Sequence, residues 1–362
     1  MKSTLDNRTK IVVSVPGKIH LLGEHAVVYG KPAILTSINK RCTVTITPRK
    51  DTKIIITSKE LDLSLTTSED TILKNADDAH ECWSQFVQNN DIALLKSITD
   101  HPLAYPSIAV GITCKYLKKR LPSGFSLDIQ SDIPVGAGLG SSAALAVAIV
   151  AAVMRFLGEE PHKNIVNDIA YIVEQKMHGT PSGGDNAAVC YGGLIWFRKE
   201  SPDFKIIQPL PFTLPTSLAE NFILINTGKP TETTGELVSH VRSIHREKPE
   251  IIQKFLNEQE ELTRQLIPVM KQNQVEALTS IIKQGQANLE NIGVVSDFAK
   301  EIIRIIKHTG GAAKICGAGG VKKAAGIILA YHKSADNIHK IIRDYKLPAI
   351  PVTLGGEGLL IN

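Results

Sequence analysis

The sequence predicts an α+β protein of two domains. Three observations carry this expectation. The chain has 362 residues, more than one average domain holds and fewer than three would need. Its patterns run strand-rich, then helix-rich, then strand again, without the regular alternation of a doubly wound sheet. A break in texture at Lys199–Pro215, rich in proline, serine and polar residues, falls near the middle of the chain. The expected domains are therefore 1–200 and 201–362.

The elements follow in order. Ile11–Val15 is a short β-branched strand closed by Pro16-Gly17. Arg41–Pro48 alternates around Val44 and Ile46, and Lys53–Ile56 adds another β-branched run. Leu121–Ile129 gives one more strand after a Pro/Gly turn. A glycine-rich loop, Pro134–Ser142, opens directly into a helix that ends near Phe156. Its apolar run Ala143–Met154 is too short to span a bilayer and reads as a buried helix. A second helix from about His162 to Met177 spaces Ile165, Val166, Ile169, Ile172, Val173 and Met177 helically. Gly192-Gly193 precedes the strand Leu194–Phe197. Beyond the break come a strand at Phe222–Asn226, long polar helices over 232–291 and a helix at Asp297–Lys307. A second glycine-rich turn, Gly317–Gly320, then leads to the strand Ala324–Tyr331.

Hydrophobic residues make up 43% of the chain and charged residues 21%, a globular composition able to bury a sizeable core. The net charge of +5 is scattered in short runs such as Lys118-Lys119-Arg120. That suits anionic substrates and does not argue for nucleic acid. The five cysteines, Cys42, Cys82, Cys114, Cys190 and Cys316, form no CxxC pair, so neither a disulfide framework nor a zinc site is expected. Met1–Lys10 is polar and lacks the apolar stretch of a secretory signal. A cytoplasmic protein, free of membrane and nucleic acid, is the expectation.

The stretch from Asp132 to Ala144, DIPVGAGLGSSAA, is the most informative. Gly136, Gly138 and Gly140 lack a Cβ that would stop successive backbone N–H groups from turning toward one point. The helix behind them begins with unpaired N–H groups and the positive end of its dipole, so an anion is favoured there. Ser141 and Ser142 can cap that helix or stand near a phosphate or metal. The loop lacks the lysine of a Walker A motif and the βαβ frame of a dinucleotide site.

A phosphate loop raises phosphoryl transfer, which needs phosphates held, Mg²⁺ bound and the nucleophile aligned. Mg²⁺ takes a few hard oxygens. Glu174, between Val173 and Met177, is one candidate, although by pattern alone it reads as a solvated helix-face glutamate. Asp185, in the tight segment His178-Gly179-Thr180-Pro181-Ser182-Gly183-Gly184-Asp185, reads equally as a helix N-cap. Lys18 follows Pro16-Gly17, and Gly23-Glu24-His25-Ala26 sets polar groups inside an apolar stretch.

Together these stretches resemble the GHMP kinase superfamily and, within it, the mevalonate kinases. Pro16–Gly30 (PGKIHLLGEHAVVYG), Pro134–Ala144 and Lys314–Gly320 (KICGAGG) stand in the order of that family's three signature regions. His178–Gly193 is similar to the segment carrying its catalytic aspartate. Asn226–Val238 and Gln286–Ser296 also resemble family segments. The resemblance implies two α+β lobes, the first like ribosomal protein S5 domain 2 and the second ferredoxin-like, with the site in the cleft between them.

It further implies that Asp185 acts on the substrate hydroxyl and that Lys18 pairs with it. Pro134, Gly136, Ala137, Gly138, Leu139, Gly140, Ser141 and Ser142 would cradle ATP, with Gly317 and Gly319 shaping the floor of the site. Ser142 and Glu174 would hold Mg²⁺, while Glu24, His25, Thr180 and Thr234 would lie along a mevalonate pocket. A homodimer is the family expectation. One departure is Val321-Lys322-Lys323 after Gly320, where the family continues with glycines. It leaves open a phosphorylated substrate, as in phosphomevalonate kinases, or a non-catalytic relative. Galactokinase and homoserine kinase chemistry are lesser alternatives.

Overall fold

The computed structural model describes residues 10–89, 91–98, 100–201 and 204–362. The N-terminal stretch before Lys10, and residues 202 and 203 of the expected linker, lie outside them. The first part of the chain runs β1 (Ile11–Leu22), β2 (Ala33–Pro48), β3 (Ile54–Ser58), β4 (Leu63–Thr67), α1 (Glu69–Asn89), α2 (Ile92–Ile98), α3 (Ala104–Leu117) and β5 (Phe125–Ser131). It continues with α4 (Ser141–Phe156), α5 (Lys163–His178), α6 (Gly184–Tyr191), β6 (Leu194–Lys199) and β7 (Lys205–Pro209). Then follow α7 (Thr216–Ala219), β8 (Phe222–Asn226), α8 (Thr234–Glu247), α9 (Pro249–Lys271), α10 (Val275–Asn291) and α11 (Asp297–His308). The chain closes with β9 (Ala312–Ile315), β10 (Ile327–Tyr331), α12 (Ala335–Tyr345), β11 (Ala349–Val352) and β12 (Leu360–Ile361).

Two sheets result. The larger has the order β12-β1-β2-β5-β3-β4, with β6 joined to the early part of β2 and β7 to β6. The smaller has the order β11-β8-β10-β9 and is antiparallel throughout. The α+β expectation holds. The end of the chain returns to the larger sheet, pairing Val13 with Ile361. The alanine-rich α4 is buried almost along its whole length from Ala143 to Met154, which is why small residues dominate it: β1, β2, α3, α5 and α6 all pack on it. No helix among the described residues is long and apolar enough to cross a membrane.

Five local expectations need correction. β1 does not stop at Pro16-Gly17 but runs on to Leu22, with a register shift between Pro16 and Lys18; proline lacks a ladder donor, and a bulge accommodates that loss. β2 starts at Ala33 rather than Arg41. The β5 and β10 strands start later than expected, at Phe125 and Ile327. Finally, α4 is capped by Gly140 in the left-handed region and has no side-chain cap, so its serines are free for other contacts.

Candidate active site

Lys18 stands just past the bulge in β1, and glycine chemistry fixes its path. A Cβ on Gly17 would lie 2.9 Å from the Leu139 carbonyl oxygen. Only glycine lets the 134–142 loop come this close, and that carbonyl then accepts the Lys18 backbone N–H at 2.9 Å. The Lys18 stem passes Gly140, whose φ is +75° and where a Cβ would meet Lys18 Cγ at 2.8 Å. The ammonium is thereby delivered to Asp185, in the first turn of α6, at 3.0 Å from Oδ1. The Lys18 side chain is 5% exposed and that of Asp185 42%. His20 Nε2 stands 3.8 Å from the same carboxylate oxygen. Burial pushes the Asp185 carboxyl up, but the Lys18 charge and then His20 outweigh it and hold the group well below the usual carboxylate range. The site therefore keeps an ionised acceptor at its mouth.

A second cluster lies along α5. Glu174 is 3% exposed, with Ser142 Oγ donating to its Oε2 at 3.2 Å and Tyr105 Oη donating to its Oε1. His178 Nε2 lies 3.1 Å from Ser142 Oγ and 3.6 Å from Glu174 Oε2. Burial pushes the Glu174 carboxyl up, against the pull of His178 and the two hydroxyls. The chemistry of this donor set fits Mg²⁺: hard oxygens, and a buried carboxylate short of positive charge. Among the described residues no group of three or more His, Cys, Asp or Glu could hold a metal. A cation here would rest on one carboxylate, one hydroxyl and the phosphates of a nucleotide, the mode Mg²⁺ commonly adopts.

A family model of the GHMP kinases N terminal domain matches residues 107–193. The mevalonate kinase of Pyrococcus horikoshii is 31% identical over 320 residues, covering 86% of each chain. The chain belongs to the GHMP kinase family. Among solved structures, the Methanococcus jannaschii mevalonate kinase superposes with a TM-score of 0.76 at 20% identity, covering 96% of this chain and 99% of that one. The L. major mevalonate kinase in complex with R-mevalonate gives 0.71 at 20% identity, with 99% and 100% covered. Their likeness extends the GHMP kinase fold over nearly the whole chain.

The expected residues of the 134–142 loop differ in how they are exposed. Gly136 and Gly138 are exposed, both with positive φ and open space where a Cβ would sit. Pro134, Ala137 and Ser141 are partly buried. Leu139 turns its side chain into the core and offers only its backbone.

Gly317 and Gly319 also have positive φ, whereas Val321 does not. The departure from the glycine run is thus accommodated without strain at Val321. This third motif lies against the first: Ala318 O is 2.9 Å from His25 Nε2, and Cys316 Sγ is 3.7 Å from His20 O. Glu24 is 2% exposed, and its Oε1 takes a hydrogen bond from Lys314, which is fully buried and also donates to Ile315 O at 2.8 Å. Burial lowers the His25 pKa against the Ala318 carbonyl, which raises it. Thr180 and Thr234 are exposed. The cap of α8 is Thr233, in a capping box with Glu236.

Sequence reasoning assigned no role to His20, Tyr105, His178 or Lys314. His20, His178 and Lys314 were inside quoted motifs, where a polar group in an apolar run was the available signal. Tyr105 carries no such signal, because its partner is 69 positions away.

Proposed function

We propose that the chain transfers the γ-phosphoryl group of ATP to the 5-hydroxyl of mevalonate, giving 5-phosphomevalonate and ADP. The observation that carries this reading is the Lys18–Asp185 pair at 3.0 Å, locked to the glycine-rich loop by the Lys18 N–H to Leu139 O bond. Its substrate comes from the likeness to mevalonate kinases over most of the chain.

Asp185, kept ionised, accepts the hydrogen bond of the attacking hydroxyl and aligns it, and the hydroxyl proton passes by way of this carboxylate to water as the phosphoryl group is transferred. Lys18 counters the charge that develops as the oxygen–phosphorus bond forms and the bond to the ADP leaving oxygen breaks. The N–H groups of the 136–142 backbone hold the phosphates. Ser142 and Glu174 would hold Mg²⁺, which when bound supplies neutralisation of phosphate charge. Thr180 and Thr234, both exposed, are free to meet mevalonate, while Glu24 and His25 are fastened to the third motif and shape the wall. The division at 1–200 and 201–362 and a cytoplasmic location belong to the same proposal.

A phosphorylated substrate is disfavoured at Lys322 and Lys323. Glu232 accepts the Lys322 backbone N–H at 3.2 Å, and Glu236 shares the field of the Lys322 charge. The Glu232 and Glu236 carboxylates beside Lys322 offset its attraction for a phosphate. The test is ADP release with Mg-ATP and, separately, mevalonate, 5-phosphomevalonate, galactose and homoserine. Turnover with mevalonate supports the proposal; turnover only with another acceptor overturns the substrate assignment.

A further inference from the structure

Glu174 is the most poorly compensated charge near the glycine-rich loop. Its side chain is 4% exposed, and among the described residues its one ion-pair partner is the half-exposed His178 at 3.6 Å. The remaining support comes from hydroxyls. Tyr105, on α3 and 3% exposed, donates to Oε1, while Ser142 donates to Oε2 at 3.2 Å. A buried phenol needs an acceptor and a buried carboxylate needs donors, so the Tyr105–Glu174 contact satisfies both. It also makes the two carboxylate oxygens unequal. Oε1 is committed to the protein interior, and Oε2 faces the serine at the head of α4.

We propose that Tyr105 is a positioning residue for the metal: by holding Oε1 of Glu174, it presents Oε2 beside Ser142 Oγ as a single-oxygen ligand. This role rests on the reading of Glu174 and Ser142 as metal ligands. Mg²⁺ demands near-ideal octahedral geometry and is usually bound through one or two carboxylates. A carboxylate able to swing, or to offer both oxygens, is a poorer ligand for it. Hydrogen-bond partners behind a metal ligand are worth roughly 10–100-fold in metal affinity.

The test uses Mn²⁺ as probe, with free Mn²⁺ followed by electron paramagnetic resonance as the full chain is titrated in the presence of a non-hydrolysable ATP analogue. Tyr105→Phe removes one oxygen and keeps the ring. The Mn²⁺ dissociation constant is expected to rise about tenfold, with affinity for the analogue in metal-free buffer unchanged. Ser107→Ala is the control for α3. Ser107 is fully buried and its hydroxyl accepts from Asn75 Nδ2 at 3.3 Å, so the Mn²⁺ affinity of Ser107→Ala is expected to match the unaltered chain.

Three results would overturn the proposal. In the first, Tyr105→Phe binds Mn²⁺ within about twofold of the unaltered chain while Glu174→Gln loses it, which removes Tyr105 and leaves the Glu174 reading standing. In the second, Glu174→Gln retains full Mn²⁺ affinity, and both readings fall. In the third, Ser107→Ala weakens Mn²⁺ binding as much as Tyr105→Phe does, and general loosening of α3 is the cause.

Discussion

Lys18→Met separates the charge of Lys18 from its stem. Methionine keeps an unbranched chain for the slot beside Gly140 and removes only the ammonium. At the observed 3.0 Å, an effective dielectric near 20 gives the Lys18–Asp185 attraction as about 5.5 kcal/mol. The Asp185 side chain is 42% exposed, so solvent screening reduces that to roughly 3 kcal/mol. If the lost interaction is expressed in the transition state, kcat falls by about 10²-fold.

The pH dependence gives a sharper test. Burial raises the Asp185 carboxyl, and Lys18 is the leading influence that lowers it, ahead of His20. In the unaltered chain the carboxylate is ionised throughout the assay range, so its titration does not shape kcat. Without Lys18, burial is opposed by His20 alone and the carboxyl rises. Turnover then falls as pH drops through the raised value, and the acid limb moves to higher pH. Stability follows the same sign. The folded carboxyl is depressed, so its contribution is complete above the unfolded aspartate value of about 4 and is lost as pH falls toward the folded value. The assay is kcat against pH from about 5 to 9 for both proteins, at saturating mevalonate and ATP. A kcat within about threefold of the unaltered chain, or an acid limb that stays in place, would refute the reasoning.

Gly140→Ala introduces a Cβ 2.8 Å from Lys18 Cγ at a φ of +75°. A backbone penalty of about 1–2 kcal/mol and a displaced Lys18 are expected, seen as a lower melting temperature and a reduced kcat; unchanged kcat would count against the packing argument. Lys314→Met leaves the buried Glu24 carboxylate, whose Oε2 already lacks a hydrogen-bond partner, without its cation. Urea unfolding is expected to show a loss of about 3–5 kcal/mol, and a loss below about 1 kcal/mol would show that the pair is not held as described. Lys322→Ala combined with Lys323→Ala touches only exposed side chains and should leave KM for mevalonate within about twofold, measured by steady-state ADP release.

Periodicity exposed the elements whose cause is local. The helices α5 and α11 fall within one residue of their expected ends, because their apolar spacing is set by the face they bury. β8 spans the expected strand Phe222–Asn226, and β3 and β6 lie close to the strands expected for them. What escaped was set by distant partners. Pro16-Gly17 reads locally as a turn, yet β2 pairs with β1 on both sides of it, and the Leu139 carbonyl needs the space that Gly17 leaves. β12 exists because two residues at the chain's end pair with Val13 and Ser14. The helices α1 to α3 fall between the Lys53–Ile56 run and Leu121, where the sequence pattern predicts no element. α3 is apolar nearly all round, with ten consecutive buried residues from Tyr105 to Cys114, so it shows no amphipathic face to detect.

The site divides along the same line. Loop glycines are visible as residue types because backbone geometry requires them there, and Lys18 is visible as a charge directly after Pro16-Gly17. The distances that make a site are not visible, since Lys18 on β1 and Asp185 on α6 are far apart in the chain and meet where those two elements pack. Glu174 shows the limit most clearly. By pattern it belongs on a solvated helix face, and in the structure it is buried beside a tyrosine from another helix. A carboxylate buried with hydroxyls and a half-exposed histidine, rather than with a lysine or arginine, is poorly placed for stability alone. That imbalance is what a site for a divalent cation requires, and it arises from the packing of α3 against α5, which no spacing within either segment records.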